Sequence, residues 1–147
     1  MRQFRDGLIL TNIEDTLHYF ETFDPQRFRV ICRFRDDAEW TQTEELLGLA
    51  KELKDLDLVV DEVDKICSPS YVSRNFYDII NYGRHDRINL YTSARRAAEV
   101  ARTLTSNADE IVVFKTQEPA DLDSLRARGF EPARLRSLGK FEYITNI

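Results

Sequence analysis

Glycine is scarce in this 147-residue chain, and the five that occur, Gly7, Gly48, Gly83, Gly129 and Gly139, are isolated from one another. No G-x-x-x-x-G-K-[ST] is present, so the sequence supplies no nest of backbone N–H groups for a β-phosphate and no loop lysine to neutralise it. Cysteine is limited to Cys32 and Cys67, both in apolar surroundings. Two such residues exclude a disulfide framework and a cysteine-based zinc site, and they suit buried thiols in a reducing, cytoplasmic compartment. Long apolar runs are missing too. No segment reads as a membrane span, and MRQFRDGLIL lacks a signal-peptide pattern.

What is present is an ordinary globular composition, 42% hydrophobic and 32% charged, with a net charge of −5. The length suits one domain with a real core, covering 1–147. Charge is unevenly spread. Residues 1–66 carry 9 Lys/Arg against 16 Asp/Glu, whereas residues 74–102 carry 6 Arg against 3 acids. Global acidity argues against indiscriminate nucleic-acid binding, while the arginine cluster leaves room for a phosphate or a partner's acidic edge.

Periodicity predicts alternating strands and helices. Gly7–Thr11 reads as a short strand, and Asn12 caps a helix with Ile13, Leu17 and Phe20 on one face. FDPQ turns the chain, and Phe28–Phe34 alternates as a strand near a sheet edge. Asp36 and Asp37 open a helix carrying Leu46, Leu49, Ala50 and Leu53. Leu56–Asp61 has no polar alternation until its end, which predicts a central, parallel strand. After the break at Ser68-Pro69, a helix places Val72, Phe76, Ile79 and Ile80 on one face and ends at Gly83. Ile88–Tyr91 is the next strand, Ala94–Thr105 a helix with Ala97, Val100, Ala101 and Leu104 inward, and Glu110–Phe114 a strand. Leu122–Arg128 is a short helix stopped by Gly129, and Glu142–Ile144 a last strand. The expected fold is α/β, a predominantly parallel sheet with flanking helices.

Chemistry in such a sheet collects at the carboxyl ends of the strands. There the strand in LDLVVDEVDKI ends in Asp61-Glu62, and the next strand ends in Thr92 and Ser93 with Arg95 and Arg96 beyond. Side by side, the two carboxylates each raise the cost of ionising the other, which a strand stopping at solvent does not need. Phosphoryl transfer gives them work: the Asp holds Mg²⁺ through water, the Glu polarises the attacking water, and the neighbouring strand senses the γ-phosphate. The bland alternative is a water-facing pair that caps the following turn. His85 reads as a solvated turn histidine, Trp40 with Glu44 and Glu45 as an amphipathic helix on the core, and Tyr71, Tyr77 and Tyr82 as packing residues. Arg84 and Arg87 read either as trans-acting arginines at a subunit interface or as helix-end arginines answering the macrodipole.

LDLVVDEVDKI resembles a Walker B motif of the acidic-glutamate P-loop ATPases. YGRHDRINLYTSARRAAEVARTLTSNADEIVVFKTQEPADLDSLRARGF is similar to the stretch that follows it in the FtsK/HerA superfamily, which includes DNA-pumping motors, conjugation ATPases and phage ATPases of the zonular-occludens-toxin type. A Gly-Arg turn, a strand opening Ile-Asn-Leu, a polar sensor and a later strand like ADEIVVFKT occur in that order, over about residues 56–130. The resemblance implies a truncated P-loop NTPase (RecA-like) core that uses ATP and Mg²⁺. Asp61 would be the metal ligand, Glu62 and Arg95 catalytic, and Thr92, Ser93 and Arg84 cofactor-binding. Many relatives have Gln at the sensor position filled by Arg95; an arginine contacts phosphate but does not orient water as Gln does.

Without a phosphate loop, the chain looks like the later two-thirds of such a core, expected not to bind nucleotide tightly or to hydrolyse it by itself. The functional expectation is a fragment or degenerate form of a DNA-translocating or packaging ATPase, with nucleic acid met through a fuller protein. The alternative is a non-catalytic assembly or binding module on an ATPase-like scaffold. In the family a further strand lies between the sensor strand and the one matching EIVVF. Here those two strands must pair directly, admit Gly7–Thr11 between them, or use another chain in a homo-oligomer.

Overall fold

The computed structural model describes residues 7–22, 28–34 and 39–147. Strand β1 (Leu8–Leu10) is followed by helix α1 (Ile13–Thr22), whose start is fixed as expected: Asn12 Oδ1 accepts the Asp15 backbone N–H at 2.7 Å. Strand β2 (Val30–Cys32) runs parallel to β1, with Leu8 opposite Val30. The FDPQ turn and the helix opening at Asp36 and Asp37 fall outside the described residues. Helix α2 (Glu39–Leu53) buries Leu47 and Ala50 most deeply. Leu47 is the position that the periodicity of Leu46, Leu49 and Leu53 passes over.

Strand β3 (Leu56–Val60) and strand β6 (Ile88–Thr92) form a parallel pair over five residues, from Leu56 opposite Ile88 to Val60 opposite Thr92. Their inner face, Leu56, Leu58, Val60, Ile88 and Leu90, packs on a core of Leu47, Val63, Ile66, Cys67, Phe76, Ile79, Val100, Ala101 and Leu104. The parallel direction is as predicted, but the central position is not. Among the described residues β3 pairs with β6 alone. Its outer face is bare, with Val59 61% and Tyr91 56% exposed and Asn89 Nδ2 donating to Asp57 Oδ1 at 2.8 Å. An apolar run reads as doubly buried in sequence; here, among the described residues, one side has no layer over it.

Between the two strands, a 3₁₀ turn (Val63–Lys65) leads into a small hairpin, β4 (Cys67–Ser68) against β5 (Tyr71–Val72), that periodicity does not signal. Helix α3 (Arg74–Tyr82) is capped by Ser73, whose hydroxyl accepts the Phe76 N–H. A second helix reinforces that end: Glu44 takes the Ser73 hydroxyl and, at 2.8 Å, the Asn75 N–H. Gly83 does follow α3, but at φ −54° it continues into a 3₁₀ turn (Gly83–Asp86), and the left-handed stop is Arg87 at φ 55°. The predicted helix over Ala94–Thr105 is broken into a 3₁₀ turn (Ala97–Glu99) and α4 (Arg102–Asn107). Val100 and Ala101 are extended, and the Ala101 N–H goes to Cys67 O at 2.9 Å. The inward residues Val100, Ala101 and Leu104 are nevertheless those expected.

A second core lies beneath β7 (Val112–Phe114) and β8 (Tyr143–Thr145), an antiparallel pair. Val113 and Ile144 meet Leu122 and Leu125 of α5 (Pro119–Arg126), Phe130, and Leu135 of α6 (Pro132–Ser137). Gly129 turns the chain between those helices at φ 89°. No pairing joins β6 to β7 among the described residues, and β1 lies against β2 instead of filling the gap. Tyr71, Tyr77 and Tyr82, expected to pack, are each about half exposed, as is Trp40, which meets the Tyr71 ring edge-on at 5.9 Å. Among the described residues no helix is long and apolar enough to cross a membrane.

Candidate functional site at the carboxyl ends of β3 and β6

The two strand ends are clasped together. Ser93 N–H donates to Val60 O at 3.0 Å, and Val63 N–H donates back to Ser93 O at 2.8 Å. The Ser93 hydroxyl donates to Asp61 Oδ1, which also accepts the Glu62 N–H at 3.1 Å. Asp61, Glu62, Thr92 and Ser93 therefore converge as the strand endings predict. Arg95 joins them through Glu62 Oε1, 3.6 Å from its Nε. The bridge between strand ends is a side chain accepting from the neighbouring strand, so a change at Asp61 is felt at Ser93.

Glu62 holds the left-handed conformation, φ 52° and ψ 51°, which costs an L-residue about 1–2 kcal/mol. The kink lets Val63 turn inward, where it is 1% exposed, while Glu62 stays at the surface with its side chain 38% exposed. Lys65 Nζ stands 3.4 Å from the other Glu62 oxygen. Strain stored at a carboxylate next to a strand end is the kind of departure that clusters at working sites. Nothing in the sequence pattern reveals it.

Arg84 is not part of this gathering. It lies in the 3₁₀ turn before β6, at the opposite end of the strand pair, with Nη2 2.7 Å from Asp109 Oδ1. Arg87 is likewise engaged, with Asp55 at 3.0 Å, which holds its guanidinium pKa up through the hydrogen bond and the charge of Asp55. His85 is exposed in the same turn, as expected.

Two residues that sequence reasoning missed lie against the segment after Ser93. Arg96 Nε donates to Asp121 Oδ2 at 2.8 Å, and the Ala98 N–H donates to Asp121 Oδ1 at 2.9 Å. Asp121 is 3% exposed, although it opens α5 in sequence like any solvated first-turn acid. The other is Asp64, whose side chain is only 8% exposed and approaches Arg95 Nη2 at 3.6 Å.

A hollow of about 210 Å³ beside Asp61 and Glu62 is walled by Trp40, Thr43, Val60, Lys65 and Ile66. That is below the roughly 300 Å³ at which small-molecule pockets usually begin. A larger hollow of about 280 Å³ lies elsewhere, along Lys51, Asp78, Tyr82, Asp86 and Ile88, where Lys51 and Asp78 pair at 2.5 Å. It holds none of the clasped residues. Among the described residues no three His, Cys, Asp or Glu form a metal-binding group.

Solved structures supply the remaining comparison. The genome packaging NTPase B204 from Sulfolobus turreted icosahedral virus 2, in complex with AMP, superposes with a TM-score of 0.70 at 18% identity, over 95% of this chain and 67% of that one. The chain has the fold of a viral genome packaging NTPase. The AMPPCP complex of the same protein gives a TM-score of 0.71 at 17% identity, over 99% of this chain and 72% of that one. B204 from Sulfolobus turreted icosahedral virus, described as a DNA-packaging ATPase, gives 0.59 at 16%, over 94% and 75%. These likenesses bear out the expected α/β fold of a truncated P-loop NTPase. No protein-family model matches the sequence, and no curated protein does.

Proposed function

We propose that this chain is the Walker B and sensor portion of a DNA-packaging ATPase core, its site made complete by a phosphate-binding loop that this sequence does not contain. One observation carries the reading: the Asp61–Ser93 clasp that ties two parallel strand ends together beside a strained Glu62. Asp61 offers a single surface carboxylate, which suits Mg²⁺, an ion that keeps its waters and is held by one or two carboxylates plus substrate phosphates. Bound there with ATP, Mg²⁺ would neutralise phosphate charge. Glu62 would orient and deprotonate the attacking water, and Thr92 and Ser93 would face the terminal phosphate. Arg95 would answer the charge that develops on it. Arg84, at the far end of β6, has no place in this site. Self-association through the open β6 and β7 edges, and contact with DNA in a fuller assembly, belong to the same reading.

The alternative, a non-catalytic assembly module on this scaffold, draws its support from the missing G-x-x-x-x-G-K-[ST]. Turnover separates the two. The chain alone should bind Mg-ATP no more tightly than millimolar and should not hydrolyse it. Joined at its amino end to a strand–phosphate loop–helix unit, it should gain ATPase activity that Glu62→Gln removes. Activity that survives Glu62→Gln would overturn the assignment.

A further inference from the structure

Asp64 is an unusual residue to find under a surface turn. Its side chain is 8% exposed, and its Oδ1 is buried with no hydrogen-bond partner. A buried carboxylate oxygen without a donor is uncommon in a folded protein, so Asp64 is poorly explained as a stabilising group. Its other oxygen lies 3.6 Å from Arg95 Nη2, while Arg95 Nε lies 3.6 Å from Glu62 Oε1. Both separations exceed the 2.7–2.9 Å, roughly, of a formed guanidinium–carboxylate hydrogen bond. Arg95 is thus shared between two carboxylates and seated on neither.

The geometry points to Asp64 as the positioning residue for Arg95. A guanidinium grips a carboxylate through two parallel N–H donors, which requires both carboxylate oxygens. The unpartnered Oδ1 of Asp64 is the missing half of that grip. Closing the 3.6 Å separation at Asp64 Oδ2 needs a shift of about 1 Å, and a two-point seat there would take up Nε as well as Nη2. The same movement removes it from Glu62. The groups facing Glu62 are then Asp61 and Lys65, and Glu62 is no longer tied to the guanidinium. Asp64 thereby decides whether the carboxylate read above as the base is engaged or available, and it does so without touching the substrate. This step rests on that reading of Glu62, but the geometry of Arg95 is testable without it.

The test uses the chain as it stands, labelled with ¹⁵N, and follows the Arg95 Nε–Hε resonance, identified by its loss in Arg95→Lys. In Glu62→Gln, Arg95 should settle on Asp64, and its Hε should exchange with water about fivefold more slowly or better than in the parent. In the double variant Glu62→Gln, Asp64→Asn both carboxylates lose their charge, and exchange should rise toward that of a free arginine. Residues far from the pair should be unaffected in both. An Arg95 Hε that behaves alike in Glu62→Gln and in the double variant overturns the inference. If the double variant does not fold, Glu62→Gln decides alone, and no slowing there overturns it equally. Loss of the Arg95 effect would leave the proposed ATPase site standing, whereas loop-supplied turnover that ignores Glu62 would remove that site and leave the Arg95 result intact.

Discussion

Replacing Asp121 by alanine should loosen the join between the two cores. Asp121 is 3% exposed, and its Oδ1 is the acceptor for the Ala98 N–H at 2.9 Å. The substitution leaves that N–H without its partner and removes a charge-assisted bond, for which about 1.5–3 kcal/mol is representative. Arg96 is exposed enough for water to take over its guanidinium, so it adds nothing to that figure. Packing lost with two carboxylate oxygens is small. The expected cost is therefore about 2–3 kcal/mol, a large share of the roughly 5–15 kcal/mol available to a domain. In a chain of this size each kcal/mol lowers the melting temperature by about 2–4 °C, so a fall of about 5–10 °C is expected. Asp121→Asn keeps an acceptor for Ala98 N–H and should recover about half of the loss. Thermal unfolding by circular dichroism, backed by urea titration, reads both variants. Stability within roughly 0.5 kcal/mol of the parent in Asp121→Ala, the range of ordinary surface changes, would refute the claim that this carboxylate anchors the segment after Arg95.

Glu62→Gly should raise stability by about 0.5–1 kcal/mol, because glycine adopts φ near 50° without strain yet gives up more entropy on folding; a destabilised variant in urea titration would show that Glu62's contacts outweigh its strain. The Cys67 thiol, fully buried and with its pKa raised chiefly by burial, against a smaller lowering from the Ala101 backbone, should resist alkylation at pH 8 until the chain unfolds; rapid labelling of native protein would contradict the packing given to it. Tyr91 and Phe114, 56% and 55% exposed on strands whose second edges are unpaired among the described residues, should support concentration-dependent association. Light scattering should show a rise in mass that Tyr91→Lys or Phe114→Lys suppresses, and a strict monomer at every concentration would remove the case.

The parts of this structure legible in the sequence are those where local pattern and tertiary demand coincide. The strands expected at Leu56–Asp61 and Ile88–Tyr91 and the helix stop at Gly129 lie within a residue or so of where they are read, and with them the meeting of Asp61, Glu62, Thr92 and Ser93. The misses have tertiary causes. Residues 97, 100, 101 and 104 keep helical spacing, but Cys67 O claims the Ala101 N–H and holds that stretch extended. The hairpin at Cys67–Val72 has only two residues per strand, too few for a period to show. Asp64 and Asp121 look like surface acids in turns and helix starts; only the fold buries them. Arg84 is placed at the site by the resemblance alone, and a five-residue strand separates it from the sensor end.

Paramagnetic broadening by Mn²⁺-ATP tests the central claim most directly, since it locates a weak site without requiring turnover. At millimolar Mn²⁺-ATP the account predicts selective loss of amide signals at Asp61, Glu62 and Thr92 to Arg95, sharply reduced in Asp61→Asn. Broadening centred elsewhere, or indifferent to Asp61→Asn, would contradict a nucleotide-metal site at the carboxyl ends of β3 and β6.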